Sequence, residues 1–244
     1  YADTQRSADM RYFCGFEVHD PFIALRIGDR SLGVFNALEY GRARKEAALD
    51  EVLPLEPLQA AVRKRYPDRR PTPADVILEL ARERDLHAVT VPEEFPAGLY
   101  EALRAAGLKV AVSDGPVFPE RERKSAREAA AIKAGNACAA AGLAAAERLL
   151  QASRPRAGRL VLGGQPLTSE RVRFAIEVAC LEAGGIAADT IVAGGDQACD
   201  PHMRGTGPLR AGELIIVDIF PRMSGTGYHG DMTRTFLRGR ASDA

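Results

Sequence analysis

Near its end the sequence contains an apolar run, LIIVDIF, that is interrupted by a single aspartate, Asp218. Such a run predicts a β-strand, and strands this continuously apolar are typically buried on both faces. An ionised carboxylate in a buried strand costs several kcal/mol unless a cation or strong donors replace the lost hydration. We therefore expect Asp218 to have a specific partner.

A second strand is predicted from Tyr228 to Leu237, after the glycine-rich turn PRMSGTG. The two-residue period of a strand places four polar side chains on one face: His229, Asp231, Thr233 and Thr235. If the two strands form an antiparallel hairpin, Asp218 and Asp231 lie on one face within several ångströms of each other. Two carboxylates so placed must share a proton or bind a metal ion, and at neutral pH the metal ion is the simpler solution.

Both aspartates also have purely structural explanations. Asp218 could pair with a buried arginine, and Asp231 could accept backbone hydrogen bonds at the end of a turn. His202 precedes Asp218 by 16 residues in the segment CDPHMRGTG, where it could donate a proton beside a metal-bound substrate. The alternative for His202 is an ordinary loop histidine.

Composition narrows the range of functions. Among 244 residues, Lys+Arg and Asp+Glu both number 33, and this balance gives no general attraction to nucleic acid or to an anionic membrane. No uninterrupted apolar run approaches the length of a membrane span, so we expect a soluble, cytoplasmic protein. The first residue is tyrosine rather than methionine, which leaves open a longer natural N-terminus.

The four cysteines, Cys14, Cys138, Cys180 and Cys199, have no spacing typical of metal ligands, and we expect reduced thiols. Cys199 lies close to His202 in sequence, as a Cys/His nucleophile would, but a small half-buried residue is the simpler interpretation.

The first 120 residues alternate between strand and helix patterns and predict an α/β domain. FIALRIGDRSLGVFN predicts a hairpin that turns at Gly28 and Asp29. Further along, PADVILELARER and AGLYEALRAAG predict helices, the second ended by Gly107, while HAVTVP and LKVAVSD predict strands.

A proline-rich, charged segment near residue 120 indicates a domain boundary, which gives domains of residues 1–120 and 121–244. The second domain opens with a long Ala-rich helix, AREAAAIKAGNACAAAGLAAAERLL. Thr168 is the predicted N-cap of another helix, and DTIVAGG predicts a strand. LVLGGQPLTSE lacks both GxGxxG and GxxxxGK[ST], which favours an ordinary strand-to-helix turn over a phosphate-binding loop.

The segments ACDPHMRGTGPLRAGELIIVD and GYHGDMTRTF resemble the creatinase/aminopeptidase family of "pita-bread" metallopeptidases. PERERKSAREAAAIKAGNACAAA is similar to the helix that opens the catalytic domain of that family. The weaker motif SADMRYFCGF is similar to the creatinase-like N-terminal domain of its proline-directed members. The resemblance implies an α/β (α+β) chain with that N-terminal domain in residues 1–120 and the first half of a pita-bread domain in residues 121–244.

This resemblance also implies a site and a function: hydrolysis of the bond preceding proline by an Xaa-Pro dipeptidase or aminopeptidase. The family binds two metal ions that activate a bridging water, and Asp218 and Asp231 match its two aspartate ligands. Mn²⁺ suits such a site best, with Co²⁺ or Zn²⁺ as alternatives. His202 matches the histidine that contacts the substrate, Thr233 is a candidate partner of the ligands, and His229 is interpreted as a cleft-edge residue.

Two departures from the family pattern have consequences. The spacing from Asp218 to Asp231 is 13 residues, about two more than is common in the family, and an even insertion in the turn preserves the facing of both strands. The family's remaining ligands, one histidine and two glutamates, follow beyond the positions present here. We therefore expect the chain to be a fragment that is inactive alone, and its uncovered inner face to cause poor solubility or homodimerisation.

Three alternatives stay open at this stage. A metal-free, creatinase-type amidinohydrolase has the same fold, but the two retained aspartates argue against it. A non-catalytic module that binds a protein or peptide would also use this fold. The third alternative is an α/β scaffold with a salt bridge at Asp218.

Overall fold

The structure, a computed structural model, describes residues 1–240. The chain forms two compact units, which we call unit 1 (Tyr1–Arg123) and unit 2 (Lys124–Ala244). Each unit combines helices with short β-sheets, as the sequence predicts for an α/β protein.

Unit 1 begins with a short helix and a hairpin and continues with alternating elements. Its helices are α1 (Ala8–Cys14), α2 (Ala37–Glu46), α3 (Leu55–Arg65), α4 (Pro73–Glu83) and α5 (Ala97–Ala105), followed by a 3₁₀ turn at Pro119–Glu122. Its strands are β1 (Ile23–Ile27), β2 (Arg30–Phe35), β3 (Glu51–Pro54), β4 (Ala88–Val91) and β5 (Lys109–Val112). The antiparallel pair β1–β2 turns at Gly28 and Asp29, which confirms the predicted hairpin.

The remaining pairings of unit 1 are parallel: β3 lies beside β2, and β4 lies beside β5. The helices α4 and α5 and the strands β4 and β5 confirm the sequence prediction for this region. Helix α4 has a complete capping box, in which Thr72 and Asp75 satisfy each other's backbone N–H groups.

Unit 2 is built on two long helices, α6 (Ala126–Ala152) and α7 (Ser169–Glu182). Its strands are β6 (Arg154–Arg156), β7 (Arg159–Leu162), β8 (Gln165–Pro166), β9 (Gly185–Ile186), β10 (Ile191–Gly194), β11 (Leu214–Ile219), β12 (Arg222–Met223) and β13 (Met232–Leu237). A 3₁₀ turn spans Gly195–Cys199. The central sheet is antiparallel in the order β10–β11–β13, and both helices pack against its apolar face.

Helix α6 begins with a capping box between Ser125 and Glu128, and α7 begins at the predicted N-cap, Thr168. The segment before Thr168 differs from the predicted strand-to-helix turn. Strands β7 and β8 form a tight hairpin whose turn, Gly163–Gly164, has positive φ at both residues (63° and 77°), a conformation that glycine adopts without strain.

Among the described residues, α6 is the one helix long and apolar enough to cross a membrane by length and composition alone. One face of α6 lies in the core of unit 2, where Cys138, Ala139 and Leu150 are almost fully buried. A buried core helix of a globular protein has the same composition.

The cysteines at positions 14, 138 and 180 are buried, whereas Cys199 is exposed rather than half-buried as the sequence suggested. Burial raises the pKa of the Cys180 thiol to about 12, with a further contribution from the neighbouring Cys138. This thiol therefore stays protonated at neutral pH.

Asp75 generates a prediction about the pH dependence of unit 1. Arg69 donates two hydrogen bonds to its carboxylate, at 2.6 and 2.5 Å, and these bonds lower the pKa of Asp75 in the folded state, supported by Thr72. The stability that they provide is present above the ordinary Asp pKa of 3.8 and is lost as the pH falls towards the lowered pKa.

We expect Asp75→Asn to reduce the free energy of unfolding of unit 1 at pH 7 by about 1–2 kcal/mol, and the difference from wild type to shrink below about pH 4. Urea titrations followed by circular dichroism at pH 7 and pH 3 measure both quantities. Asp68→Asn, at an exposed position of the same loop, is the control and should have little effect. A loss that is equally large at pH 3 would contradict this origin.

Candidate metal centre

The two aspartates of interest lie on the hairpin formed by β11 and β13. Asp218 is paired with Thr233, and Ile219 with Met232. The same register continues beyond the strands, where Arg222 bridges to His229. No bulge interrupts these pairings, as expected of an even insertion in the turn. The strand predicted from Tyr228 begins only at Met232, so Asp231 precedes β13 and its common face with Asp218 stays a prediction.

The burial of β11 differs between its faces. Ile215, Val217 and Ile219 have no exposed surface and pack into the core, whereas Asp218 is half-buried on the opposite face and Asp231 is exposed. The prediction of burial on both faces is therefore wrong for the described chain. The reason is that α6 and α7 pack against the face that carries Ile215, Val217 and Ile219. On the other face burial is uneven: Ile191 and Ala193 of β10 are buried, whereas their partners Asp218 and Ile216 are half-buried.

The partner of Asp218 within the described residues is Thr233, whose Oγ1 donates a hydrogen bond to Asp218 Oδ1 at 2.5 Å. No ion pair found within residues 1–240 includes Asp218 or Asp231. The alternative of a salt bridge at Asp218 is therefore not realised in this part of the chain. One carboxylate oxygen of Asp218 is oriented by the hydroxyl group, and none of the cationic side chains described up to residue 240 forms an ion pair with it.

Asp231 is the diagonal neighbour of Asp218, because it precedes Thr233 by two residues. Diagonal neighbours on one face of an antiparallel pair are separated by roughly 7–8 Å. The backbone N–H of Asp231 donates to Asn136 Oδ1 at 3.0 Å, which ties this end of the hairpin to α6. The backbone of Asp231 is thus held against α6 one residue before β13 begins.

Helix α6 also touches the hairpin through two glycines. A Cβ atom added to Gly230 would lie 2.1 Å from the backbone carbonyl of Gly135, and one added to Gly135 would lie 2.4 Å from Gly230 N. Distances this short exclude any side chain at either position without displacement of backbone. The residue before Asp231 is therefore fixed directly against the helix.

Tyr228 provides another link between this hairpin and α6. Its hydroxyl donates to Glu128 Oε1 at 2.8 Å, while Glu128 Oε2 accepts hydrogen bonds from Ser125 in the capping box. Hydrogen bonds to its carboxylate lower the pKa of Glu128. The bond from the backbone N–H of Ser125 has the largest effect, and those from the hydroxyls of Ser125 and Tyr228 add to it. The start of the helix and the hairpin therefore share one carboxylate.

His202 lies apart from the aspartates. It occupies an exposed turn, where its backbone N–H donates to Asp200 Oδ1 at 3.1 Å. The carbonyl of Arg204 accepts the N–H of Val192 at 3.0 Å, so this segment runs along the edge of β10 opposite to β11. Among these residues the structure records a contact between Asp218 and Thr233, and it places the segment of His202 along the far edge of β10.

The remaining candidates also lie at the surface. His229 is exposed, with Nδ1 3.5 Å from the carbonyl oxygen of Phe220. Within residues 1–240, no group of three or more His, Cys, Asp and Glu side chains gathers at one point. Asp218 and Asp231 are therefore a pair of potential ligands rather than a complete metal site.

Sequence reasoning missed the residues of α6 that hold the hairpin, Gly135, Asn136 and Glu128. A signal for the first two exists: glycine in a helix interior costs about 1 kcal/mol relative to alanine, and asparagine is also disfavoured. Two such residues side by side in an otherwise Ala-rich helix indicate a tertiary contact that compensates for the cost.

The fold is shared with a class of solved structures. The chain superimposes on solved structures with the pita-bread fold of the creatinase/aminopeptidase class. Those with TM-scores of 0.75 include an X-Pro aminopeptidase from Thermotoga maritima (21% identity, 99% of this chain and 62% of that chain covered) and an Xaa-Pro dipeptidase from Bacillus anthracis (19%, 98% and 60%). A prolidase from Pyrococcus furiosus aligns with a TM-score of 0.72, at 17% identity over 98% of this chain and 62% of that one.

Residues 129–244, just under half of the chain, match the sequence profile of metallopeptidase family M24. No curated protein sequence matches the chain. These alignments cover almost all of this chain but only about 60% of the length of the solved structures.

The contact between Gly135 and Gly230 gives a prediction about stability. Gly230→Ala adds a Cβ that meets backbone at 2.1 Å, so we expect unit 2 to lose about 1–3 kcal/mol of unfolding free energy. Gly225→Ala, in the turn of the same hairpin, adds a Cβ that meets nothing within 4 Å and serves as the control. Chemical denaturation of both variants measures the difference, and equal stabilities would refute the contact.

Proposed function

We propose that the complete protein is a metal-dependent peptidase that hydrolyses the bond preceding proline, as an Xaa-Pro dipeptidase or aminopeptidase. The observation that carries the proposal is the placement of Asp218 and Asp231 on one hairpin within a segment that matches metallopeptidase family M24. Structural neighbours named as an X-Pro aminopeptidase, an Xaa-Pro dipeptidase and a prolidase support the substrate class.

The residues present fit divalent ions. Asp218 and Asp231 offer carboxylate oxygens that form no ion pair within residues 1–240, and such oxygens are the donors preferred by hard and borderline ions such as Mn²⁺. Two such ions, when bound, lower the pKa of a water molecule and polarise the scissile carbonyl group. We favour Mn²⁺, with Co²⁺ or Zn²⁺ as alternatives.

Each residue of the site has a proposed task. Asp218 and Asp231 hold the metal ions, and Thr233 restrains the Asp218 carboxylate through its hydrogen bond, so that one oxygen keeps a fixed direction. His202 is proposed to contact the substrate and to hold or donate a proton beside the scissile bond. Its exposed position at the edge of β10 supports access to a peptide that lies over the open face.

The remaining parts of the proposal concern the protein as a whole. A proline-containing peptide is the proposed substrate, a homodimer is the proposed assembly, and the cytoplasm is the proposed location. The uncovered face of the central sheet supports self-association, because apolar residues such as Leu214, 58% exposed, lie on it.

A second candidate function is a pita-bread module that binds a protein or peptide without cutting it. The specific observation in its favour is the lack of any cluster of three potential metal ligands within the described residues. A metal-free amidinohydrolase is less well supported, because both aspartates are retained.

The test uses the protein encoded by the complete reading frame. We expect Mn²⁺-dependent hydrolysis of an Xaa-Pro dipeptide or of an Xaa-Pro-containing peptide, and a loss of kcat/KM of about 1,000-fold or more in Asp231→Asn and in Asp218→Asn. Asp189→Asn, at an exposed position of unit 2, is the control. A folded, Mn²⁺-loaded protein with no such activity would favour the binding module.

The chain of 244 residues allows a separate test. We expect it to show no measurable hydrolysis of the same substrates in the presence of Mn²⁺, because two aspartates alone do not complete a two-metal site. The assay compares the chain with the complete protein at equal concentration. Mn²⁺-dependent turnover by the chain alone would show that the ligands within it suffice.

A further inference from the structure

We propose that Asn136 is a positioning residue for Asp231: it holds the backbone that aims the Asp231 carboxylate towards the face on which Asp218 lies. The inference rests on the proposed metal centre and extends it to the interior of helix α6.

The first observation is the contact itself. Asn136 Oδ1 accepts the backbone N–H of Asp231 at 3.0 Å, although the two residues are 95 positions apart in sequence. The ladder between β11 and β13 ends with the pair Ile219 and Met232, one residue short of Asp231. Asn136 therefore supplies an acceptor at the point where the regular strand pairing stops.

The second observation is the composition of the helix around Asn136. Alanine dominates α6, yet Gly135 and Asn136, two residues that disfavour a helix interior, occur there side by side. Each has a reason in the hairpin: Gly135 allows the backbone of Gly230 to approach, and Asn136 binds the next residue, Asp231. At these two positions the contact with the hairpin, rather than helix propensity, explains the residue type.

The third observation concerns the Asp231 carboxylate. Its backbone is fixed from two directions, by the Gly135–Gly230 contact and by the Asn136 hydrogen bond. The carboxylate is exposed and takes part in none of the ion pairs or side-chain hydrogen bonds found among residues 1–240. A side chain without a protein partner on a fixed backbone is suited to bind a cation with little further ordering.

The Tyr228–Glu128 hydrogen bond strengthens this arrangement from the other side. Tyr228 precedes Asp231 by three residues and is bound at the start of α6, whereas Asn136 lies about two turns further along the helix. The hairpin is thus held at two separated points of one rigid element. Removal of the Asn136 bond leaves the Tyr228 anchor in place, so its loss should act locally on Asp231.

The experiment uses the ¹⁵N-labelled protein encoded by the complete reading frame, because Asp218 and Asp231 alone are not a complete metal site, and two readouts that do not depend on catalysis. The first is hydrogen exchange of the Asp231 amide. The second is the Mn²⁺ affinity, measured from paramagnetic broadening of amide signals in β11 and β13, with Asp231→Asn as the control that removes the ligand. Both readouts are compared for wild type, Asn136→Ala, Asn136→Asp and Lys133→Ala.

We expect Asn136→Ala to speed hydrogen exchange of the Asp231 amide about tenfold and to weaken Mn²⁺ binding about tenfold. The thermal stability of unit 2 should stay equal or rise, because alanine favours the helix. Asn136→Asp keeps an acceptor oxygen at the same distance along the side chain, so it should restore slow exchange. Lys133→Ala, at an exposed position one turn earlier, should leave both readouts unchanged.

The outcomes separate this inference from the proposed metal centre. Mn²⁺ broadening that is lost in Asp231→Asn but unchanged in Asn136→Ala would uphold the metal centre and overturn the positioning role. Faster exchange without any change in Mn²⁺ affinity would overturn it as well, because Asn136 would then serve only the fold. Wild type without aspartate-dependent broadening would refute the metal centre and the positioning role together.

Discussion

The arrangement of unit 2 depends on the direct backbone contact between helix α6 and the hairpin that carries Asp231. Gly135 and Gly230 meet at a distance that no side chain would permit. Further along the helix, a Cβ at Gly142 would lie 2.9 Å from Cys180 Sγ and 3.1 Å from Ile219 Cδ1, so the same narrow side of α6 also admits α7 and β11. Small residues along one helix face therefore set how closely the sheet, the second helix and the hairpin approach one another.

This close packing divides the central sheet into two different surfaces. One face is buried against α6 and α7 and contributes most of the apolar core of unit 2. The other face carries the half-buried Asp218 and the exposed Thr233. Most of the core and the proposed chemistry thus lie on opposite sides of β11.

Local signals were enough to predict much of the fold. Helices α4 to α7 and the β1–β2 hairpin follow from capping residues, periodic apolar positions and turn chemistry, all of which act within a few residues. The short strands β3, β6, β9 and β12 were not predicted, because pieces of two to four residues show no period and form only when a partner strand is nearby. The burial of Asp218 was predicted wrongly, because an apolar strand does not reveal how many of its faces are covered.

By itself, the sequence determined strand β11, most of strand β13 and their register across the turn, since the two-residue period and the turn length fix the facing of paired side chains. The common face of Asp218 and Asp231 stays a prediction from the same rule. The family resemblance implied that these two aspartates bind metal ions. Only the tertiary structure decided that Asp218 is half-buried, that Thr233 binds Asp218, and that Asn136 binds the backbone of Asp231. These contacts join residues up to 95 positions apart, and such contacts arise from packing, which no local pattern encodes.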